Sequence, residues 1–285
     1  MAGAGSVSAV IVDWGGVLTQ SFNEAIEVWA AAEDVAAAEF DAVLGRLLGP
    51  DAVPDGGPNP FHRVERGELS VADFESVLAA LLRRTDGTPV PAGGLVQRMF
   101  APFAMDPVMT GLLRRVRAAG VPVALLSNSW GHRYDREGWD GLFDAVVISC
   151  EVGMRKPEPE IFRHTARLLG RGPEECVFVD DLGRNVRAAS ALGMATVHHR
   201  TAAETTAALT SLLSALRDDP VPRSCLEFPR GVAASGTAAS GVVVSREGSA
   251  IAPSSALDST APDAAPSPAL ELQTGPSGRA RSPRR

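Results

Sequence analysis

Five short runs of apolar residues recur before residue 200, and helical patterns lie between most of them. The runs are Val7–Val12, Val121–Ser127, Ala145–Ser149, Cys176–Asp180 and Ala195–His198. Because they are continuous rather than alternating, they are typical of parallel strands that are covered on both faces. The pattern therefore predicts an α/β fold built on a Rossmann-like, doubly wound parallel sheet.

Start and stop signals locate the helices between these strands. Asp106 is expected to cap a helix that begins at Pro107 and ends at Gly120. Two more helices are expected to end at Gly170 and Gly193. Their apolar positions are Ile161, Phe162, Leu168 and Leu169 in the first helix, and Val186, Ala189 and Leu192 in the second.

Residues 21–100 interrupt this alternation, because they contain helical patterns and no convincing strand. The clearest helix begins at Ser70, a plausible N-cap with Asp73 three residues later. Its apolar stripe consists of Phe74, Val77, Leu78, Leu81 and Leu82. We expect a helical cap of residues 21–100, inserted into a core of residues 1–20 and 101–217. The cap would cover the carboxyl ends of the strands, where open α/β sheets bind ligands.

The composition changes at about residue 218, after which Ala, Ser, Gly and Pro dominate. Such a segment buries too little apolar surface to offset the entropy of ordering its backbone. The sequence therefore predicts a disordered C-terminal tail over residues 218–285. The arginines at its end are expected to form a solvated basic terminus.

Charge and cysteine content limit the partners and the compartment. A formal net charge of −7 argues against a general nucleic-acid binder. The three cysteines, Cys150, Cys176 and Cys225, lack C-x-x-C spacing, so neither a disulfide framework nor a zinc site is expected. This cysteine content fits a reducing cytoplasm best. We expect no signal peptide and no membrane contact, since no uncharged stretch approaches the ~18 to 20 residues of a membrane span. The sequence leaves the oligomeric state open.

Polar residues follow the predicted strands at the points where the strands end. They are Asp13, then Ser127 and Asn128, then Lys156, and finally Asp180 and Asp181 with Asn185 four positions later. Packing does not explain them, because an unpaired charge at the end of a buried strand is costly. The carboxyl ends of parallel strands share one edge of a sheet, so these groups are expected to converge on one site.

Phosphoryl transfer gives each of these groups a role. A carboxylate can attack phosphorus and form an aspartyl phosphate, which divides one difficult displacement into two easier ones. A divalent cation and a lysine would then neutralise the phosphate oxygens. Magnesium takes oxygen ligands and only one or two carboxylates, so Asp13, Asp181 and the backbone carbonyl near Gly15 would suit it. Ser127 and the N–H groups after it would hold the phosphate.

Four motifs in this order and spacing resemble those of the haloacid dehalogenase-like hydrolases. They are V-D-W-G-G-V-L-T, L-L-S-N-S, G-M-R-K-P-E-P-E-I-F and V-F-V-D-D-L-G-R-N. The resemblance covers roughly residues 7–216. Within that superfamily, the motifs are similar to the phosphatase domain of soluble epoxide hydrolases and to bacterial glucose-1-phosphate-type phosphatases, whose cap the segment 61–68 also resembles.

The resemblance implies a role for each matching residue. Asp13 would be the nucleophile and Lys156 would stabilise the attacked group, while Ser127 and Asn128 would bind the phosphate. Asp181 would bind Mg²⁺ directly, with Asp180 and Asn185 in support. The implied activity is that of a magnesium-dependent phosphatase of small phosphorylated metabolites. From the cap, His62 and Arg66 are candidates for substrate contact, although His62 could equally pack within the cap.

Gly15 departs from the pattern of the family. Most members have a second acid at this position, which protonates the leaving group and then activates water. Such assistance is typically worth about 10² to 10⁴ in rate. The sequence leaves three outcomes open: a substitute acid from the cap (His62, Glu65 or Glu68), a preference for good leaving groups, or poor catalysis. The similar sugar-phosphate phosphatases also carry glycine here, which favours an active enzyme.

Two other functions compete with the phosphatase. A haloacid-type dehalogenase would use the same aspartate and lysine without a metal, but the pair Asp180 and Asp181 indicates a magnesium site. A catalytically silent binding module is suggested by Gly15. Among the aromatic residues, Trp14 is expected to be a packing residue, and His132 is expected to lie on the surface.

Overall fold

The computed structural model describes residues 7–48, 59–213 and 216. Its centre is a five-stranded parallel sheet in the order β3-β2-β1-β4-β5. The strands are β1 (Ala9–Val12), β2 (Val123–Ser127), β3 (Ala145–Ile148), β4 (Cys176–Asp180) and β5 (Ala195–His198). The predicted doubly wound parallel sheet is therefore confirmed. β1 lies at the centre, where Val10 is in register with Val123 of β2 and Val177 of β4.

Ten α-helices and a short 3-10 helix (Pro173–Glu175) accompany the sheet in the described residues. The helices are α1 (Phe22–Glu33), α2 (Ala37–Leu48), α3 (Pro60–Glu65), α4 (Val71–Leu81), α5 (Leu95–Phe100), α6 (Pro107–Ala118), α7 (Ser149–Val152), α8 (Pro159–Leu168), α9 (Gly183–Ser190) and α10 (Ala202–Leu212). Within the described ranges, none of the helices combines the length and apolar character needed to span a membrane.

Burial on both faces explains why the strands are uninterrupted apolar runs. Val10 and Val12 point to a hydrophobic cluster that also contains Leu112 and Leu113 of α6. Ile11, between them, points to the opposite cluster, which includes Phe162 of α8. Alternate residues of β1 thus reach two separate cores, which explains why both faces of this strand are apolar.

The predicted helix starts are confirmed at two positions. The Asp106 carboxylate accepts hydrogen bonds from the backbone N–H groups of Val108 and Met109 at 2.6 and 3.2 Å. The Ser70 hydroxyl accepts one from Asp73 N at 3.1 Å. Both side chains satisfy N–H groups that have no partner within their own helix.

Several local predictions are wrong. β3 ends at Ile148, and Ser149 begins α7 instead of continuing the strand. On α4, Phe74, Leu78 and Leu82 are buried, but Val77 and Leu81 are exposed. Glu75, next to Phe74, is buried instead. Its carboxylate accepts hydrogen bonds from Gly94 N and Val96 N at the start of α5, both at 3.0 Å. Leu168 of α8 is also exposed.

Helices α1 to α5 form a block between β1 and α6 that has its own hydrophobic cluster. In the described part of residues 21–100, β-type pairing is limited to two isolated bridges, Val35 with Arg84 and Arg83 with Pro89. Trp130, from the loop after β2, enters this cluster and meets the Phe61 ring edge-on at a centroid distance of 4.9 Å. The helical block thus packs directly on the loops at the carboxyl edge of the sheet.

The exact division into a core and a cap at residues 20/21 and 100/101 stays a prediction. The C-terminal tail predicted for residues 218–285 lies outside the described residues.

Candidate active site

The strand order brings three polar residues together at the carboxyl edge of the sheet. Ser127 and Asp180 are the last residues of β2 and β4, the two strands that flank β1. Asp13 directly follows β1, and its backbone N–H donates to Val179 O of β4 at 3.0 Å. All three side chains are nearly buried. The convergence expected from the strand ends is therefore present in the structure.

Lys156 connects two of the acids. Its Nζ lies 2.7 Å from Asp13 Oδ1 and 2.7 Å from Asp180 Oδ2, and the residue is only 1% exposed. Burial alone would lower the pKa of Lys156, but the carboxylates of Asp13 and Asp180 raise it above its ordinary value. The lysine is therefore charged, and the two aspartates make its burial tolerable.

Asn128 holds the lysine from behind. Its side-chain Nδ2 donates to Lys156 O at 3.0 Å, and its Oδ1 accepts from Lys156 N at 2.8 Å. Both ends of the carboxamide thus bind the main chain of Lys156. A phosphate contact from Asn128 would accordingly come from its own main chain.

Three carboxylates share a small volume with this single lysine. One oxygen from each of Asp13, Asp180 and Asp181 lies within 4.8 Å of the others. Burial raises the pKa of Asp13 well above its ordinary value; Lys156 opposes this rise, whereas Asp180 and Asp181 add to it. Burial and then the nearby Asp180 raise the pKa of Asp181 to about 7. Ionising all three carboxylates beside one lysine is therefore unfavourable, and a bound cation would favour their ionised forms.

The donor atoms fit magnesium, which prefers oxygen ligands. Asp180 is already saturated, because Leu182 N donates to it at 2.8 Å, Asn185 Nδ2 donates to both of its oxygens at 3.0 and 3.1 Å, and Lys156 binds it as well. Asp13 and Asp181 are the carboxylates left for a metal. The buried Asn185 Oδ1 has no hydrogen-bond partner among the described residues, so it can accept from water bound to a cation.

The turn after Asp13 is shaped by Gly16. This residue has a φ of +72°, and a Cβ placed on it would lie 2.4 Å from Asp181 Oδ2. Glycine is therefore required there by both backbone conformation and space. Gly15 differs, since a Cβ on it would meet only Phe103 Cε1 at 3.9 Å, an ordinary contact. Local packing leaves room for a Cβ at position 15, where most of the family carries an acid.

Ser127 has a partner that the sequence did not indicate. Its Oγ lies 2.9 Å from the hydroxyl of Tyr134, the single tyrosine of the chain. The Tyr134 ring also meets Trp14 edge-on at a centroid distance of 5.0 Å. Burial raises the pKa of Tyr134, so its hydroxyl stays protonated. The sequence did not predict this contact, because the loop that carries Tyr134 has no helical or strand periodicity and its spacing from Ser127 matches no known motif.

The aromatic residues around Trp14 give one confirmation and one correction. Trp14 is 6% exposed and stacks on Phe103 at a centroid distance of 5.3 Å, so it is a packing residue as predicted. His132 was expected on the surface but is buried, with its ring stacked on Phe100 at 3.8 Å. Burial lowers the pKa of His132 to about 3. Its burial depends on Phe100, which is distant in sequence.

Two ion pairs join α3 to the segment that carries Lys156. Glu65 Oε2 lies 2.5 Å from Arg155 Nε, and both residues are buried. Arg66, which follows α3, pairs with Glu158. The two pairs therefore flank Lys156 on either side in sequence. The guanidinium group of Arg66 is held by the Glu158 carboxylate.

His62, Glu65 and Glu68 are the candidates to replace the acid that is missing at Gly15. Burial and then the guanidinium groups of Arg155, Arg66 and Arg184 lower the pKa of His62 to about 4. His62 is therefore neutral at neutral pH, and Glu65 is committed to Arg155. Glu68 is exposed. Neither His62 nor Glu65 is a ready proton donor in this arrangement.

Comparison with known proteins identifies the family. A model of the haloacid dehalogenase-like hydrolases matches residues 7–193. The chain belongs to this family. It is 31% identical over 201 residues to mouse acyl-CoA dehydrogenase family member 10, covering 68% of this chain and 18% of that protein. It is 29% identical over 206 residues to a sesquiterpene phosphatase of Aspergillus oryzae, covering 67% and 88%.

Other relatives share only part of their length with this haloacid dehalogenase-like hydrolase. Rat bifunctional epoxide hydrolase 2 is 24% identical over 153 residues, which cover 48% of this chain and 28% of that protein. The chain therefore spans less than a third of the length of the epoxide hydrolase and of the acyl-CoA dehydrogenase relative.

Solved structures confirm the fold. A family enzyme of Bacteroides thetaiotaomicron, in complex with magnesium and inorganic phosphate, has a TM-score of 0.50 and 23% identity, covering 68% of this chain and 94% of that one. A dehalogenase with an intermediate complex has a TM-score of 0.51 and 21% identity, covering 69% and 86%. At these identities the likeness shows the fold and leaves the reaction of this chain open.

We predict that Gly16→Ala weakens Mg²⁺ binding by about 10- to 100-fold, because the new Cβ displaces the Asp181 carboxylate. The matched control is Gly170→Ala, which has a similar φ of +66° but no atom within 4 Å of the added Cβ. Both substitutions place alanine at a positive φ and therefore strain the backbone, but only the new Cβ at position 16 collides with the Asp181 carboxylate. Isothermal titration calorimetry measures the affinity; equal Mg²⁺ affinities for the two variants would contradict the prediction.

We also predict that the His62 imidazole titrates with a midpoint near pH 4, measured by NMR and assigned with His62→Gln. The unfolded chain takes up this proton near pH 6.5, and the folded protein does so only near pH 4. Folding stability from this group is thus complete above pH 6.5 and is lost as the pH falls toward 4. Urea unfolding should show a smaller loss over this window for His62→Gln. A midpoint at or above pH 6.5 would refute the prediction.

Proposed function

We propose that the protein is a magnesium-dependent phosphatase of small phosphorylated metabolites, working through an aspartyl phosphate on Asp13. The observation that carries the proposal is the position of Lys156 Nζ, 2.7 Å from both Asp13 and Asp180, with an Asp181 oxygen in the same cluster. A nucleophile, a cationic side chain and metal donors thus meet at one point. This point lies at the carboxyl edge of the sheet, where α/β proteins bind ligands.

The contacts of Asp13 suit a nucleophile. Trp14 N donates to Oδ1 at 2.7 Å, and Lys156 binds the same oxygen. The carboxylate is held at one oxygen, while Oδ2 has no protein donor among the described residues. In the first step a carboxylate oxygen bonds to phosphorus, the ester P–O bond breaks, and its electron pair leaves with the ester oxygen. Water then attacks the aspartyl phosphate and releases inorganic phosphate.

The remaining groups bind and neutralise the phosphate. Ser127 and the backbone N–H of Asn128 hydrogen-bond the phosphate oxygens, and Lys156 provides positive charge. Asp13, Asp181 and the Gly15 carbonyl would hold magnesium, which would supply positive charge that lets one anion approach another. Asp180 and Asn185 support Lys156 and the metal site. We propose that Arg66 and His62 contact the substrate from the helical block, with His62 as a neutral imidazole.

The relatives support this reading in part. The chain aligns with 88% of the length of a sesquiterpene phosphatase. A structural neighbour was solved in complex with magnesium and inorganic phosphate. A cytoplasmic location and the lack of a nucleic-acid partner stay predictions from composition; Cys150 and Cys176 are free thiols, and Cys225 lies outside the described residues.

Two alternatives remain as outcomes of the test. The dehalogenase neighbour keeps carbon–halogen hydrolysis in view. The paired acids Asp180 and Asp181 argue against it, because that reaction has no need of a metal. A silent module is disfavoured by the clustering of acids, because a protein with no metal to bind gains nothing from burying repelling carboxylates.

The test uses p-nitrophenyl phosphate, whose good leaving group needs little protonation and so tolerates Gly15. We predict hydrolysis that requires Mg²⁺, stops with EDTA and returns with excess Mg²⁺. Asp13→Asn should lower kcat by at least about 1000-fold, since the covalent route is removed. The control Asp140→Asn removes an exposed acid outside the site and should keep the wild-type rate. Equal rates for wild type and Asp13→Asn would exclude catalysis by Asp13, and EDTA-resistant turnover of a haloacid would indicate the dehalogenase.

A further inference from the structure

The end of β5 contacts the turn that carries Asp181. β4 and β5 pair in parallel register as far as Asp180 and His198, and His199 N donates to Asp180 O at 2.9 Å. Asp181 follows the last residue of β4 and therefore lies beyond the paired strands. Its carbonyl oxygen lies 2.8 Å from Nε2 of His198. The imidazole thus extends the contact between the two strands by one residue.

The direction of this hydrogen bond follows from its acceptor. A carbonyl oxygen can only accept, so Nε2 of His198 carries the hydrogen and donates it. Among the described residues, the group that could hold a cation consists of three aspartates and does not include His198. His198 therefore acts on Asp181 through the main chain and is not itself a metal ligand.

The position of the Asp181 main chain matters for the acid cluster. The Asp181 carboxylate lies close against Gly16, where a Cβ would be only 2.4 Å from Oδ2. One oxygen of Asp181 is also within 4.8 Å of oxygens from Asp13 and Asp180. A shift of the Asp181 main chain would therefore change the spacing of the carboxylates that are left for a metal.

The next residue of the chain, His199, provides a contrast. Its Nδ1 lies 2.8 Å from the hydroxyl of Thr205 in α10, so it joins the end of β5 to that helix. Both histidines are half-buried. They are thus similar in side chain and surroundings, but only His198 binds a residue of the acid cluster.

We propose that His198 is a positioning residue for magnesium, because it holds the Asp181 main chain so that the carboxylate stays beside Asp13. The proposal rests on Asp181 as a metal ligand in the function proposed above. Residues that orient metal ligands typically contribute about 10- to 100-fold to metal affinity. His198 binds the carbonyl of Asp181 and not its carboxylate, so we expect the low end of this range.

Isothermal titration calorimetry with Mg²⁺ tests the assignment without a substrate. His198→Leu should weaken Mg²⁺ binding by about tenfold, because the Asp181 carbonyl loses its donor. His198→Gln places an amide N–H near the position of Nε2 and should bind Mg²⁺ within about threefold of wild type. The side chain of His198→Asn is shorter, so its amide does not reach the carbonyl, and its affinity should match that of His198→Leu.

The matched control is His199→Leu, which removes the bond to Thr205 and should keep the wild-type Mg²⁺ affinity. The proposal is overturned if wild type binds no Mg²⁺ or if His198→Leu binds it as well as wild type does. It is also overturned if both leucine variants lose affinity equally, since the imidazole would then serve only the fold.

If His198→Leu does not fold, the comparison of His198→Asn with His198→Gln decides, and equal Mg²⁺ affinities for these two variants overturn the proposal. Magnesium-dependent hydrolysis of p-nitrophenyl phosphate by wild type reports separately on the phosphatase function. An unchanged Mg²⁺ affinity in His198→Leu together with that hydrolysis would reject the positioning role alone.

Discussion

The structure depends on the burial of one ammonium group between two carboxylates. Lys156 is 1% exposed, so its charge is tolerated only because Asp13 and Asp180 lie 2.7 Å from Nζ. Those acids can meet there because β1 and β4 are neighbours in the sheet. Asn128, which directly follows β2, binds both the N–H and the carbonyl of the lysine backbone. The strand order and the site are thus parts of one arrangement.

The helical block is tied to this same lysine. The ion pairs Glu65–Arg155 and Arg66–Glu158 join α3 to the residues on either side of Lys156. Movement of α3 would therefore alter the segment that carries the lysine. Through these ion pairs α3 supports the segment that carries Lys156, and Glu65 is committed to Arg155 rather than free for proton transfer.

The sequence predicted what local chemistry determines. Continuous apolar runs gave the strands, capping residues gave the starts of α4 and α6, and the polar strand ends gave the cluster around Asp13. It failed where distant contacts decide burial. His132 is buried by Phe100, and Tyr134 reaches Ser127 through a loop with no periodicity. Leu81 fits a helical stripe by spacing, but that side of α4 is left uncovered.

The central claim is that Asp13 becomes phosphorylated, and chemical trapping tests it most directly. Rapid quenching during turnover with Mg²⁺, followed by borohydride, converts an aspartyl phosphate to homoserine that peptide mass spectrometry can locate. We predict homoserine at position 13 with substrate and Mg²⁺, and none when either is omitted. Phosphate release without modification of Asp13, or with modification of another acid, would contradict the account.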